Sequence, residues 1–201
     1  MEQQDLELET GRYTKQELTV SAGKANVLAL FFMVPVILIF IPAYVLLWPA
    51  QFEFASLKSY LQEHKSTFLF YPFLAFLIMI PGAVVHELLH GVTWAAFCKN
   101  GLRSIKYGVH WKMLTPYCHC KEVLPLRPYI LGGMMPGIVM GILPSIAGLI
   151  LGNIPVFLFG LLFTIAAGGD MLVLWMLRHT RKEDLVQDHP ELIGCIVYRK
   201  V

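Results

Sequence analysis

Charge is what this sequence has least of. Only 15% of its 201 residues are Asp, Glu, Lys or Arg, against 56% hydrophobic. From Ala25 to Ala50 no residue carries charge. That balance excludes an ordinary soluble domain and points to a membrane protein with the lipid bilayer as its main partner. A net charge of +2 is too small to suggest a nucleic-acid partner. Cysteine is scarce as well. Cys98, Cys118, Cys120 and Cys195 do not form a secreted disulfide framework, and all four fall on segments expected in the cytosol, where thiols stay reduced. No cleavable signal peptide is expected, because the first 24 residues are polar and the apolar run after them is longer than a leader's.

What is present is four apolar runs. Residues 26–48, 67–97, 129–151 and 156–177 are each long enough to cross a bilayer as a helix. Pro35 and Pro42 kink the first, and Pro136 and Pro144 interrupt the third, which is rich in glycine. Between the second and third lies the most basic part of the chain. There Ile105, Tyr107, Val109, Trp111 and Met113 alternate with Lys106, Gly108, His110 and Lys112, the period of a half-buried strand. Thr115-Pro116 reads as the turn and Tyr117–Val123 as the return strand, so a hairpin is expected over 103–124. Tyr13, Leu18 and Val20 suit either a short strand or an interfacial segment, and Ile193–Tyr198 suits a strand. Lys and Arg set orientation. With the N-terminus inside, 14 of the 16 basic residues fall on cytosolic segments and 2, Lys58 and Lys65, fall outside. The expected fold is therefore one all-α polytopic domain over 1–201, with four transmembrane helices, both termini cytosolic and a small cytosolic β-hairpin.

Acidic residues within the four runs number two, Glu87 and Asp170. Glu87 belongs to His86-Glu87-Leu88-Leu89-His90, an H-E-x-x-H pattern inside an apolar helix. Residues four apart share a helix face, so His86 and His90 offer two imidazoles to one Zn2+, with Glu87 beside them as general base. Polar groups at that depth are costly and mark function. A catalytic zinc takes a third protein ligand. His90 and Asp170 each lie about 10 Å of helix from the cytosolic ends of their spans, which makes Asp170 the candidate. The competing reading is that these groups make only interhelical hydrogen bonds. Cys118, His119 and Cys120 form a second cluster that could serve a second metal or contact substrate. On a strand, however, Cys118 and Cys120 face one way and His119 the other. His64, His179 and His189 lie in charged loops and tails and read as solvated.

With His86, His90 and Asp170 on zinc and Glu87 moving the proton, the set suits hydrolysis of a peptide bond in a peptide or membrane-protein substrate. The arrangement resembles intramembrane zinc metalloproteases of the site-2 protease type, which carry H-E-x-x-H on one membrane helix and an Asp on a later one. Asp170 differs in following Gly168-Gly169 and preceding Met171. The chain is more closely similar to a bacterial family of small four-helix membrane proteins described as zincin peptidases. His86–Gly91, Thr115–Glu122 and Gly168-Gly169-Asp170 carry that likeness, which implies a multi-pass cell-membrane fold and a zinc site. A second function class stays open: a non-catalytic membrane protein, either a binding partner or a transporter-like subunit, with a structural or vestigial zinc. A di-iron enzyme is disfavoured, since the seven histidines are mostly dispersed.

Overall fold

In lipid a chain must satisfy its own backbone, so apolar runs of this length fold as helices. The computed structural model describes residues 13–63, 65–68, 70–111 and 115–200. Arg12, His64, and Lys112 and Met113 of the expected strand lie outside them. Three helices are long and apolar enough to cross a membrane. They are α1 (Ala22–Leu47), α3 (Tyr71–Ala95) and α4 (Leu126–Leu151). The amphipathic α2 (Phe54–Glu63) lies between the first two. The last apolar run is not the single helix expected. It breaks at Ala167 into α5 (Ile154–Ala166) and α6 (Gly168–Met176), which are bent by 41° and long enough to span only together. α4 is also irregular, passing through a π-helical stretch at Gly137–Ile142 just after Pro136. Proline withdraws one donor from the helical ladder, and such a bulge is a common local adjustment.

The outer surfaces of the helices are apolar. Phe31 is 74% exposed and Leu46 79%, as residues turned toward lipid are. α4 and α5 form a close antiparallel pair. Their turn uses Gly152 in the left-handed region (φ 62°), followed by Asn153, whose side chain accepts the Val156 N–H at 3.1 Å. The two backbones meet where Gly148 faces Phe157 and Gly160 faces Ser145. The end of α1 is clasped to this turn. Trp48 Nε1 donates to the Leu149 carbonyl at 2.8 Å, and Gln51 Nε2 donates to that of Gly152 at 2.9 Å.

The all-α expectation needs correction. Among the described residues six strands form two sheets: a hairpin of β2 (Ile105–His110) and β3 (Thr115–Cys120), and a four-stranded sheet. The latter joins β1 (Tyr13–Val20), β6 (Ile193–Lys200), β5 (Leu185–Asp188) and β4 (Leu124–Pro125), in that spatial order. All of its pairings are antiparallel. The strands come from opposite ends of the chain and from between α3 and α4, so no local pattern reveals the sheet. The hairpin also turns earlier than expected: Thr115 and Pro116 are already strand, with Pro116 opposite Val109. A two-stranded sheet has edges on both sides, where proline's missing N–H is tolerated. The hairpin lies along α3, with Ile105 and Tyr107 packed over Gly91. A core cluster that includes Trp94, Leu124, Tyr129, Val186 and Val197 welds the sheet to the ends of α3 and α4.

The α4–α5 contact gives a direct test. A side chain at Gly160 would overlap the backbone of Ser145, which cannot yield as a flexible side chain can. Gly160→Leu is expected to destabilise the protein by about 1–3 kcal/mol, seen as a lowered melting temperature in detergent.

Candidate metal centre

α3 carries the H-E-x-x-H pair four residues apart, so the helix itself places both rings on one side. Their centroids lie 5.0 Å apart. Asp170 arrives from the first turn of α6, just past the break at Ala167. Its Oδ2 lies 3.0 Å from His86 Nε2 and its Oδ1 3.3 Å from His90 Nε2. Both histidines are buried, at 8% and 4% exposure. The glycine pair before Asp170 acts differently from a contact with the histidine helix: Gly168 faces Ala29 of α1, and Gly169 faces open space.

The chemistry of the donor set fits a zinc ion. One ligand atom from each of His86, His90 and Asp170 lies within 4.8 Å of the others, and no other such group occurs among the described residues. Two imidazole nitrogens and a carboxylate oxygen form a mixed nitrogen and oxygen set of the type zinc accepts. The ring of His90 is fixed from behind. Its Nδ1–H donates to the Gly132 carbonyl at 2.8 Å, which leaves Nε2 as the electron-pair donor facing Asp170. Trp94 stacks on that ring at 5.2 Å and on Tyr129 at 5.5 Å, while its Nε1 donates to the Tyr129 carbonyl at 3.0 Å. Gly132 has to be glycine here, because a Cβ would overlap the Trp94 indole. His86 Nδ1 is buried with no hydrogen-bond partner among the described residues.

Glu87 lies beside the three. With His90 and Asp170 it lines a cavity of about 140 Å³, large enough for water. Its carboxyl interacts with the backbone N–H of Cys118 on β3.

A family described as "putative zincin peptidase" matches residues 77–185, more than half of the chain. The chain belongs to that family. No curated protein and no solved structure matches it. The matched stretch contains His86, Glu87, His90 and Asp170 and ends as β5 begins.

The Cys118, His119 and Cys120 cluster is pulled apart by strand alternation. Cys118 lines the metal cavity; His119 Nδ1 lies 3.9 Å from the Asp188 carboxylate; Cys120 is fully buried, its Sγ 3.6 Å from that of Cys98. Burial pushes the Cys118 thiol well up, and the nearby Glu87 and Asp188 add to this. Burial likewise raises Cys120. Both shifts favour the protonated thiol.

Sequence reasoning overlooked Asp188. Placed by β5 in what reads as a charged tail, it lines the metal cavity with Glu87 and Asp170. Its Oδ2 accepts the Cys120 N–H at 2.7 Å and its Oδ1 the Tyr129 hydroxyl at 2.6 Å. Burial raises its carboxyl above the ordinary value, and those two hydrogen bonds oppose the shift. One side chain thus joins β5, β3 and α4 around the site. The tail's alternation was the available signal, but it could not show what the inward acid would meet.

Two outcomes follow. Purified protein is expected to hold about one zinc per chain by elemental analysis, falling to background in His86→Ala, His90→Ala and Asp170→Ala. Asp188→Ala is expected to cost about 1–3 kcal/mol for each buried donor it orphans, with Asp188→Asn retaining most of that stability, measured by thermal melting.

Proposed function

We propose that this protein is a zinc-dependent membrane peptidase that cleaves peptide bonds of a membrane-associated substrate. One observation carries the reading: His86, His90 and Asp170 converge, and His90 and Asp170 share a cavity wall with Glu87. Zinc held by those three would supply Lewis acidity, making water a better nucleophile near neutral pH and polarising a carbonyl. Glu87 takes the proton of the attacking water on a carboxylate oxygen and returns it to the leaving amine nitrogen. The Cys118 N–H steadies that carboxylate, and the Gly132 carbonyl with Trp94 keeps the His90 ring in line. A structural zinc needs neither a base beside its ligands nor an open cavity, so the non-catalytic alternative leaves both features unexplained.

Four crossings with both ends in the cytosol accord with this arrangement. β1 precedes α1 and β6 follows α6, yet the two strands pair over eight positions. β4, between α3 and α4, belongs to the same sheet. One sheet cannot lie on both sides of a bilayer, so the number of crossings between its strands is even. This supports reading α5 and α6 together as the fourth span. The bias of 14 basic residues against 2 supports a cytosolic side for the sheet and the hairpin's base. Among the described residues β3 pairs with β2, and an extended substrate would lie along this hairpin beside Glu87. A helical substrate has to unwind first.

The test is Glu87→Gln. The variant is expected to keep its zinc while hydrolysis of a proteome-derived peptide mixture, read by mass spectrometry as new termini, falls about 10²- to 10⁴-fold. Zinc-loaded wild type that yields no more cleavage than the variant would sink the peptidase reading.

A further inference from the structure

Three residues of the metal cavity, Cys118, Asp188 and Gly194, also line a second, larger cavity of about 640 Å³. It lies between the hairpin and the 188–194 turn joining β5 to β6. Strand alternation decides what its hairpin wall presents. With Cys118 turned to the metal side, Tyr117 and His119 turn the other way. Lys106 is the cross-strand partner of His119, and Lys121 follows two residues after it. Lys106, His119 and Lys121 therefore line one wall.

Of that wall, His119 meets an acid: its Nδ1 lies 3.9 Å from the Asp188 carboxylate. Asp188 is otherwise engaged by the Cys120 N–H and the Tyr129 hydroxyl, and Glu191 lies on the opposite turn. Among the described residues no carboxylate forms an ion pair with Lys106 or Lys121. Lys121 donates a hydrogen bond to the Arg103 carbonyl at 3.1 Å. His189 is occupied at the turn, where its Nδ1 accepts the N–H groups of Glu191 and Leu192.

We propose that this second cavity binds the part of the substrate next to the scissile bond and selects an extended peptide segment with acidic side chains. The inference rests on the peptidase reading and adds a substrate class to it. Its volume is that of a ligand pocket able to hold a few side chains. Its lining comes from the hairpin and the sheet, outside the membrane-spanning helices, so the chain that fills it is polar and extended. Lysines near a membrane surface can also attract anionic headgroups. Here the shared wall with the metal cavity favours a peptide, since a chain seated there leads directly to Glu87.

The test uses zinc-loaded full-length protein in phosphatidylcholine nanodiscs and three peptide hydroxamates identical except for Asp, Asn or Lys at the two positions nearest the hydroxamate. The Asp peptide is expected to bind about three- to tenfold tighter than the Asn peptide, with the Lys peptide weakest, and the spread should shrink as salt is raised. Lys106→Glu/Lys121→Glu is expected to reverse the order. Both positions are exposed, so the variant should keep its zinc and its affinity for acetohydroxamate, which is too small to reach them. Equal binding of all three peptides, or an order unchanged in the double variant, would overturn the proposal. So would equal binding accompanied by a loss of association with phosphatidylglycerol vesicles in the double variant, which would assign the lysines to the membrane surface. In each of those cases acetohydroxamate binding leaves the peptidase reading standing. Zinc-loaded protein that fails to bind acetohydroxamate would overturn both.

Discussion

The contact between Asp170 and the two imidazoles is the constraint on which the rest of the structure depends. A carboxylate at membrane depth is costly unless opposing groups meet it. His86 and His90 meet it only if α6 starts at their level and points its first turn at them. The break at Ala167 satisfies that demand, since an unbroken helix from Ile154 onward would run in another direction, 41° away. Gly168 then allows α6 to pass close to α1. The helix order follows from a polar contact, and the apolar faces accommodate it.

A second set of ties lies outside the spans. The four-stranded sheet joins segments from both ends of the chain, and Asp188 extends it to β3 and Tyr129. Glu87 depends on this set through Cys118, whose strand is fixed in height by the Cys120 N–H on Asp188. The candidate metal ligands and Glu87 are thus placed by helices, and a strand meets the Glu87 carboxyl. Two independent scaffolds meet at one cavity.

Which parts of this were legible follows from the range of each interaction. The histidine pair needs only a four-residue spacing, so it is written locally. Asp170 could be matched by depth, because just two acids occur in the apolar runs. The sheet could not be read as such: its strands are two to eight residues long and pair across most of the chain. Asp188 and the Gly132 carbonyl were hidden for the same reason, and a backbone acceptor has no signature in side-chain identity. Cys118, His119 and Cys120 were separable from sequence, since strand alternation puts His119 opposite the two cysteines, but their separate surroundings were not.

The partner of His90 shows why the site is built this way. A ligand histidine needs an acceptor behind it, and a carboxylate would bind its N–H most strongly. At this depth a further carboxylate would itself require desolvation and a counter-charge. The Gly132 carbonyl supplies the acceptor without net charge, and glycine at that position leaves room for the Trp94 indole that packs against the ring. The carboxylate that does serve the outer structure, Asp188, sits on a strand beyond the spans, where its cost is smaller. Charge is therefore graded with depth: the four apolar runs hold two charged side chains, Glu87 and Asp170, and the hairpin and sheet that cover them hold more.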